Sequence, residues 1–386
     1  MKIALYSAPA YLDTTIPLVN ELSKKNEVHL IIEYHGESNT GIWQADAFST
    51  GKIVFDEPNE IGRFLGSDLT GILDDKIKVA VVNYPSIKMT SRWRYISTCH
   101  LIKYLHRIKP DVIDIHSPHG VLAMPFLPNV VKVFTLHDPF PHMGEKSWGG
   151  VVHNRLGMHY ADYVIVHDKE SAGSLSRMYR FLSSKLATVY LGVYAVYRRW
   201  LGAEIPEEEN TILFFGRISP YKGLEYLIKA EPLIAKEIEN LKIIVAGKGD
   251  LSPYRKLIVN PKIYEIHNQY ISNESAGELF QRARCVVLPY TDATQSGVLM
   301  TAYAFNKPAI VTDVGGLPEV VEDGVTGFVV PPKDGALLAR AIIKLLKDDD
   351  LRKEMKNNIK SKAENEFSWQ RIAGQIVEIY RKKLSS

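Results

Sequence analysis

The sequence predicts an α/β protein of two domains, each a parallel sheet covered by helices, with its ligands at the carboxyl ends of the strands. Three observations point there. The chain has 386 residues, 46% hydrophobic and 24% charged, which is too long for one typical core and apolar enough to bury two. It opens with a strand–helix–strand unit. Its second half carries apolar runs that end in glycine-bearing, charged or hydroxyl-rich loops, where ligands of open α/β sheets sit.

Lys2 to Tyr6 is a short apolar strand, followed by Ser7-Ala8-Pro9-Ala10-Tyr11, a helix from about Thr15 to Lys24, and a strand from Val28 to Ile32. Asp111 to His116 and Val131 to Asp138 read as two further buried strands whose exit loops bear histidine. His137, beside Asp138, stands at such a strand end, and His119, after Ser117-Pro118, is a second candidate for the floor of a cleft. His142, His153, His159 and His167 lack comparable support. Val189-Tyr190-Leu191-Gly192-Val193 reads as the last strand of the first domain, and the polar stretch from Tyr194 to Pro206 as the boundary.

In the second half, Leu213-Phe214-Phe215 leads into Gly216-Arg217-Ile218-Ser219-Pro220-Tyr221-Lys222-Gly223. Gly216 permits close approach of a ligand, the planar fork of Arg217 suits two phosphate oxygens, and Lys222 adds a point charge one turn on. A diphosphate fits that pair; a surface arginine and lysine near a turn is the other reading of the stretch taken alone. Further on, Cys285 to Tyr290 ends a strand, and Thr294, Gln295, Ser296 and Gly297 open a helix running to Phe305, whose first amide groups can face an anion. Pro308 to Asp313 is the next strand, and Gly315-Gly316-Leu317-Pro318-Glu319 follows as a loop free of side-chain obstruction, with Glu319 placed for a sugar hydroxyl.

Taken in order, Gly216-Arg217 to Lys222-Gly223, Val245-Ala246-Gly247-Lys248-Gly249, Leu288-Pro289-Tyr290, Lys307-Pro308 and Gly315 to Glu319 resemble the donor-binding domain of family 4 retaining glycosyltransferases. The likeness covers most of residues 205 to 370, and Asp323 to Pro331 extends it. It implies a GT-B fold: two Rossmann-like domains across a cleft, residues 1–196 on the acceptor side and 197–369 on the donor side. A closing helix, 370–386, crosses back onto the first domain. It also implies a nucleotide-diphosphate sugar as co-substrate, with Arg217 and Lys222 on the diphosphate and no metal or other cofactor. The donor site would comprise Gly216, Thr294, Gln295, Ser296, Gly297, Thr301, Gly315, Gly316 and Glu319. His137 would act at the sugar, and His119 and Asp138 would lie toward the acceptor.

Two glutamates separated by seven residues are usual in the family around the helix after Gly297; here those positions hold Ala293 and Thr301. The run Ala293 to Gly297 resembles a variant of polysaccharide-building members, which implies a changed donor pocket. The implied reaction is hexosyl transfer with retention of configuration to a hydroxyl of a glycan or lipid-linked saccharide. Two alternatives share the fold: a nucleotide-sugar-binding partner without turnover, and a sugar-nucleotide epimerase. A nicotinamide-dependent dehydrogenase is disfavoured, because no strand is followed by GxGxxG with an acidic residue about twenty positions later. A retaining hydrolase would need two opposed carboxylates about 5 Å apart, and the motifs supply a leaving-group clamp instead.

The formal net charge of +3 does not argue for nucleic acid. Its distribution is uneven: residues 87–109 contain no acidic side chain, and as a helix they place His100, Lys103 and Arg107 opposite Leu101, Leu105 and Ile108. That pattern reads as a sheet-packing helix with a solvated basic face, or as a contact for anionic headgroups anchored by Trp93, Tyr95 and Ile96 beside Arg92 and Arg94. No apolar run approaches the roughly twenty residues of a membrane span, and the amino terminus lacks the pattern of a signal peptide. The expected location is therefore cytoplasmic, with peripheral membrane contact as an option. Cys99 and Cys285 form no CxxC pair, so neither a disulfide framework nor a zinc site is expected.

Overall fold

A computed structural model describes residues 1–35, 38–40, 43–45, 53–86, 91–140 and 148–384. His142 and residues 87–90 lie outside the described residues.

The strands of the first half are β1 (Lys2–Ser7), β2 (Glu27–Tyr34), β3 (Ser38–Thr40), β4 (Trp43–Ala45), β5 (Val54–Phe55), β6 (Lys78–Asn83), β7 (Val112–Ile115), β8 (Val131–Thr135), β9 (Tyr163–Val166) and β10 (Leu186–Thr188). Eight of them form a sheet in the order β10-β9-β8-β7-β1-β2-β6-β5, parallel except for the short edge strand β5, while β3 and β4 make a separate hairpin. The second half supplies β11 (Thr211–Phe215), β12 (Lys242–Ala246), β13 (Tyr264–His267), β14 (Cys285–Leu288), β15 (Ala309–Thr312) and β16 (Gly327–Val330). They form a six-stranded parallel sheet in the order β13-β12-β11-β14-β15-β16. Both sheets begin in the middle and grow outward in two directions, the doubly wound topology of two Rossmann-like domains. The reversals fall between β1 and β7 in the first sheet and between β11 and β14 in the second. Such a switch point leaves a crevice at the carboxyl ends of its two strands.

Burial explains why these segments become parallel strands. Ile3 to Ser7, all of β7 and all of β14 are buried, as expected where helices cover both faces of a sheet. One face of the first sheet packs under the helix Leu12–Ser23, and the carboxy-terminal helix Trp369–Leu384 joins the same core through Ile372, Ile376, Ile379 and Tyr380. That final helix therefore crosses back onto the first sheet, and the Tyr380 hydroxyl donates to Asp114 Oδ2 at 2.6 Å. Among the described residues, no helix is long and apolar enough to cross a membrane.

Three local expectations change. The first helix starts at Leu12 instead of about Thr15, directly after a single turn at Pro9–Tyr11, and Thr14 Oγ1 donates to the Tyr11 carbonyl. Residues 189–193 do not extend the sheet, which ends with β10 at Thr188. They run instead against the segment entering the last helix. Val193 N–H donates to Phe367 O, Trp369 Nε1–H donates to Val193 O, and a Cβ on Gly192 would sit 2.6 Å from the Trp369 ring. Finally, in the helix Arg92–Ile108 Arg94 turns inward and is buried, so it is not part of an exposed basic face; Trp93 and Tyr95 remain exposed.

Candidate active site

At the second switch point, three exit loops lie against one another. Gly216 N–H donates to Ala246 O and Ile218 N–H to Lys248 O, which ties the loop after β11 to the loop after β12. Gly223 has φ +68°, and a Cβ there would lie 1.8 Å from the Pro289 carbonyl oxygen, so only glycine lets this loop rest on the exit of β14. Arg217 is exposed at the rim of the crevice. Lys222 is half-buried, with Nζ 3.8 Å from the centroid of Tyr290 and 5.0 Å from that of Tyr221. Such a cation–π contact is worth about 1–2 kcal/mol. Burial pushes the Lys222 pKa down and the charge of Arg217 adds to this, against Tyr221 and Asp138, which favour the ammonium.

The helix Gly297–Ala304 starts beside this crevice. Ser296 is its N-cap, with Oγ accepting from Leu299 N–H and 3.4 Å from the Tyr290 hydroxyl. Thr294 Oγ1 donates to Asp138 Oδ1 at 3.3 Å, a direct hydrogen bond across the cleft. Gln295 Oε1 is buried with no hydrogen-bond partner among the described residues and belongs to a small cavity lined by His167, Tyr190, Ser296 and Gly316. Thr301 is 4% exposed, and its hydroxyl donates to Gly297 O in its own helix, so it faces the core and not the cleft. Gly315, at φ +53°, would bring a Cβ within 1.9 Å of Ala293 O, and Gly316 N–H donates to Thr294 O. A Cβ on Gly316 would come 2.5 Å from Cβ of Asp168 in the other domain.

Glu319 does not stand open to a sugar. Its carboxylate accepts from the backbone N–H groups of Lys169, at 2.9 Å, and Glu170, at 3.1 Å, at the start of the helix Lys169–Met178, and from the Tyr190 hydroxyl at 2.9 Å. A carboxylate on a helix N-terminus is a favourable anion contact, and here it joins the two domains. Asp168 caps the same helix through Ser171 N–H, and burial, with the charges of Glu319 and Glu170 adding to it, pushes its pKa up to about 6 against the Ser171 hydrogen bonds.

On the facing sheet, β7, β8 and β9 are adjacent, and each is followed closely by histidine: His116, His137 and His167. Neighbouring strands lie about 4.8 Å apart, so the three imidazoles meet in a row. His116 Nδ1 is 3.1 Å from His137 Nε2, and His137 Nδ1 is 3.1 Å from His167 Nε2. His167 Nδ1 lies 2.8 Å from the Val189 carbonyl, which can only accept. That end fixes the tautomers: His167 donates to Val189, His137 to His167, and His116 to His137. Among the described residues His116 Nε2 is left buried without a hydrogen-bond partner, 3.4 Å from Asp114 Oδ1. Burial alone would push Asp114 up, but the ion-pair contact with His116, with hydrogen bonds from Tyr380 and Thr135, holds it below the usual carboxylate range.

His137 is thus 4% exposed, uses both ring nitrogens within the row, and stacks on Tyr11 with centroids 4.0 Å apart. Burial, then the proximity of His167 and His116, holds its pKa well below the ordinary imidazole value, and burial pushes His167 down to about 4. Asp138, by contrast, is exposed in the cleft, and His119 is partly exposed, with Nδ1 against Glu33. Sequence reading set His167 aside and did not single out His116, Glu33, Tyr11, Tyr190 or Asp168. The signal for the first two was present, since each follows a buried strand as His137 does; what was missing was the strand order that makes them neighbours.

Comparison with known proteins agrees with the two-domain fold. Residues 57–195 match the family described as Glycosyltransferase Family 4, and residues 202–362 match Glycosyl transferases group 1. The chain is 33% identical over 190 residues to a glycosyltransferase of Methanocaldococcus jannaschii, covering 48% of this chain and 47% of the other. It is 30% identical over 242 residues to the D-inositol 3-phosphate glycosyltransferase of Streptomyces scabiei, covering 57% and 54%. The aligned part thus spans about half the length of these relatives. Among solved structures, sucrose-phosphate synthase of Thermosynechococcus elongatus has a TM-score of 0.69 at 17% identity, covering 100% of this chain and 99% of that one. HepE of Anabaena in complex with UDP-glucose has a TM-score of 0.70 at 18% identity, covering 99% and 100%; these two likenesses establish the fold. Two consecutive family matches on two doubly wound sheets, with the cation-bearing loops at the second switch point, identify the chain as belonging to the family 4 type of GT-B glycosyltransferases.

Proposed function

We propose that this protein transfers a sugar from a nucleotide-diphosphate sugar to a hydroxyl of a glycan or lipid-linked saccharide, with retention of configuration. The observation that carries the reading is the placement of Arg217 and Lys222 at the switch point of the second sheet, with Asp138 of the first domain reaching Thr294 beside them. The Anabaena neighbour holding UDP-glucose supports a nucleotide-sugar donor.

In this reading the donor diphosphate lies against the Gly216 loop and the start of the helix Gly297–Ala304. Arg217 takes a pair of its oxygens, and Lys222 swings from its aromatic shelf to a third. As the bond from the sugar to the diphosphate breaks, these fixed charges stabilise the leaving group in a low-dielectric cleft without a metal ion. The stacked Tyr11 and His137 rings form an apolar wall under the sugar, and the histidine row holds that wall rigid. Asp138 is the exposed carboxylate beside the reacting centre and steadies positive charge developing on the sugar. A lipid-linked acceptor would bring the first domain to a membrane surface through Trp93, Tyr95, Phe126, Val151 and Val152, all exposed, with Lys103 and Arg107 on the same helix as the tryptophan.

The test is a panel of nucleotide sugars read by thermal shift and by release of nucleoside diphosphate. The reading expects one base-and-sugar combination to raise the melting temperature and to be slowly hydrolysed. Binding without any turnover, with or without added acceptors, would replace it by a binding role without catalysis, which the absence of carboxylates at positions 293 and 301 favours. Conversion of the donor to its epimer would point to the third reading.

A further inference from the structure

Glu33 is a carboxylate in a strand whose residues from Val28 to Tyr34 are all buried, and it is itself 2% exposed. Its Oε2 accepts from Tyr6 OH at 3.0 Å and from Ser117 Oγ at 2.7 Å, and its two oxygens lie 3.2 and 3.3 Å from His119 Nδ1. Burial alone would push Glu33 up, but the hydrogen bond of His119, followed by that of Ser117, holds it below the ordinary range. An ionised carboxylate only accepts, so Nδ1 of His119 carries a proton, and in the neutral ring Nε2 then keeps its lone pair.

The surroundings say what that lone pair is for. Among the described residues none bonds to His119 Nε2, and the side chain is 20% exposed at the carboxyl edge of β7. The ring is walled by Tyr84, His35 and His153, with centroids 6.0 to 6.3 Å away. The loop that carries it is held down on Tyr6, since a Cβ on Gly120 would lie 2.6 Å from that ring. His137 and His167 use both ring nitrogens in the row described above and His116 Nε2 lies buried beside Asp114, whereas His119 keeps a part-exposed nitrogen for a ligand.

We propose that Glu33 and His119 form a hydroxyl-reading dyad on the acceptor side of the cleft. His119 Nε2 accepts the hydrogen bond of a polyhydroxylated acceptor, and Glu33 is the positioning residue that fixes its tautomer. A neutral nitrogen acceptor suits a sugar or polyol hydroxyl. The assignment of that ligand as acceptor rests on the glycosyl-transfer reading.

The full chain labelled with 15N-histidine tests the dyad by long-range 15N–1H spectra, which distinguish the two neutral tautomers. Wild type should show His119 with a protonated Nδ1 and a bare Nε2. Glu33→Gln should lose that single-tautomer signature while the His116, His137 and His167 signals stay unchanged. Diethyl pyrocarbonate, read by peptide mass, should label His119 and spare those three, and glucose as polyol probe, added with UDP, should slow the labelling of His119. A protonated Nε2 in wild type, or an unchanged signature in Glu33→Gln, overturns the dyad. Labelling unaffected by glucose and UDP overturns the hydroxyl role. Because neither readout needs turnover, a positive result here with no nucleotide sugar consumed would sink the transferase reading and leave the dyad standing.

Discussion

Replacing His167 by Gln should reverse the ranking of wild type and variant as pH falls. In the folded protein His167 is buried between Val189 and His137, and its pKa is pushed down to about 4. In the unfolded chain it titrates near 6.5. The unfolded state therefore binds more protons across this window, so the stability that the neutral imidazole contributes is fully present above pH 6.5 and is lost as pH falls toward 4. The loss is about 2 kcal/mol by pH 5 and about 3 kcal/mol at and below pH 4, from the separation of the two pKa values. Gln cannot titrate. Its amide can still accept from His137 Nδ1 but is too short to donate to Val189 as well, so near neutrality the variant should be weaker by about 1 kcal/mol, one net hydrogen bond. The two effects cross near pH 5.5 to 6. Asp168, pushed up to about 6, acts in the opposite sense, since its protonation favours the folded state as pH falls, but it is common to both proteins and cancels in the difference. Urea unfolding of both proteins at half-unit steps from pH 7.5 to 4.5 measures that difference directly. A variant that stays weaker than wild type by the same margin down to pH 4.5 would show that His167 is not held neutral, and the tautomer order of the row would fall with it.

Other expectations follow from the cleft. Arg217→Ala should lower transfer by at least about a hundredfold, the effect of removing one preorganised charge-stabilising donor, with little change in melting temperature because the side chain is exposed; near-normal transfer would take Arg217 out of the site. Activity should survive a chelator, and loss restored by magnesium or manganese would contradict a clamp built from side chains alone. Glu319→Gln removes a charge that helps to raise Asp168, so the Asp168 carboxyl titration seen by NMR should move down from about 6. Glu319→Ala should also loosen the domain contact with Lys169, Glu170 and Tyr190, giving a less compact particle in small-angle scattering; an unchanged particle would mean that the other contacts between the domains, Gly316–Asp168 and Thr294–Asp138 among them, hold them without Glu319.

The cation-bearing loop after β11 was legible in the sequence because its geometry is local. Gly216, Arg217, Lys222 and Gly223 fall within one exit loop, and Gly223 is demanded by a carbonyl from the strand next to it, so spacing along the chain maps onto spacing in the crevice. The facing side was legible only in part, because its chemistry is assembled from parallel strands separated by 20 to 30 residues. A histidine at the end of each strand is visible in the sequence; that three such strands are neighbours is a property of the sheet order. The same reason accounts for Glu319, whose reading as a sugar contact was sound chemistry for a carboxylate near a glycine loop. Its partners are the Tyr190 hydroxyl and two backbone amides about 150 residues earlier, and amides carry no sequence signature. Residues 189–193 have the apolar pattern of a strand, yet Gly192 is small because Trp369 lies on it from the far end of the chain. In each case the residue type was informative about what the group can bond and silent about which distant element would be there to bond it. Glu33 is the extreme instance: an acidic residue in an apolar strand is recognisable from sequence as a group that needs a partner, and only the loop after β7, folded down on Tyr6, shows that the partner is a part-exposed histidine.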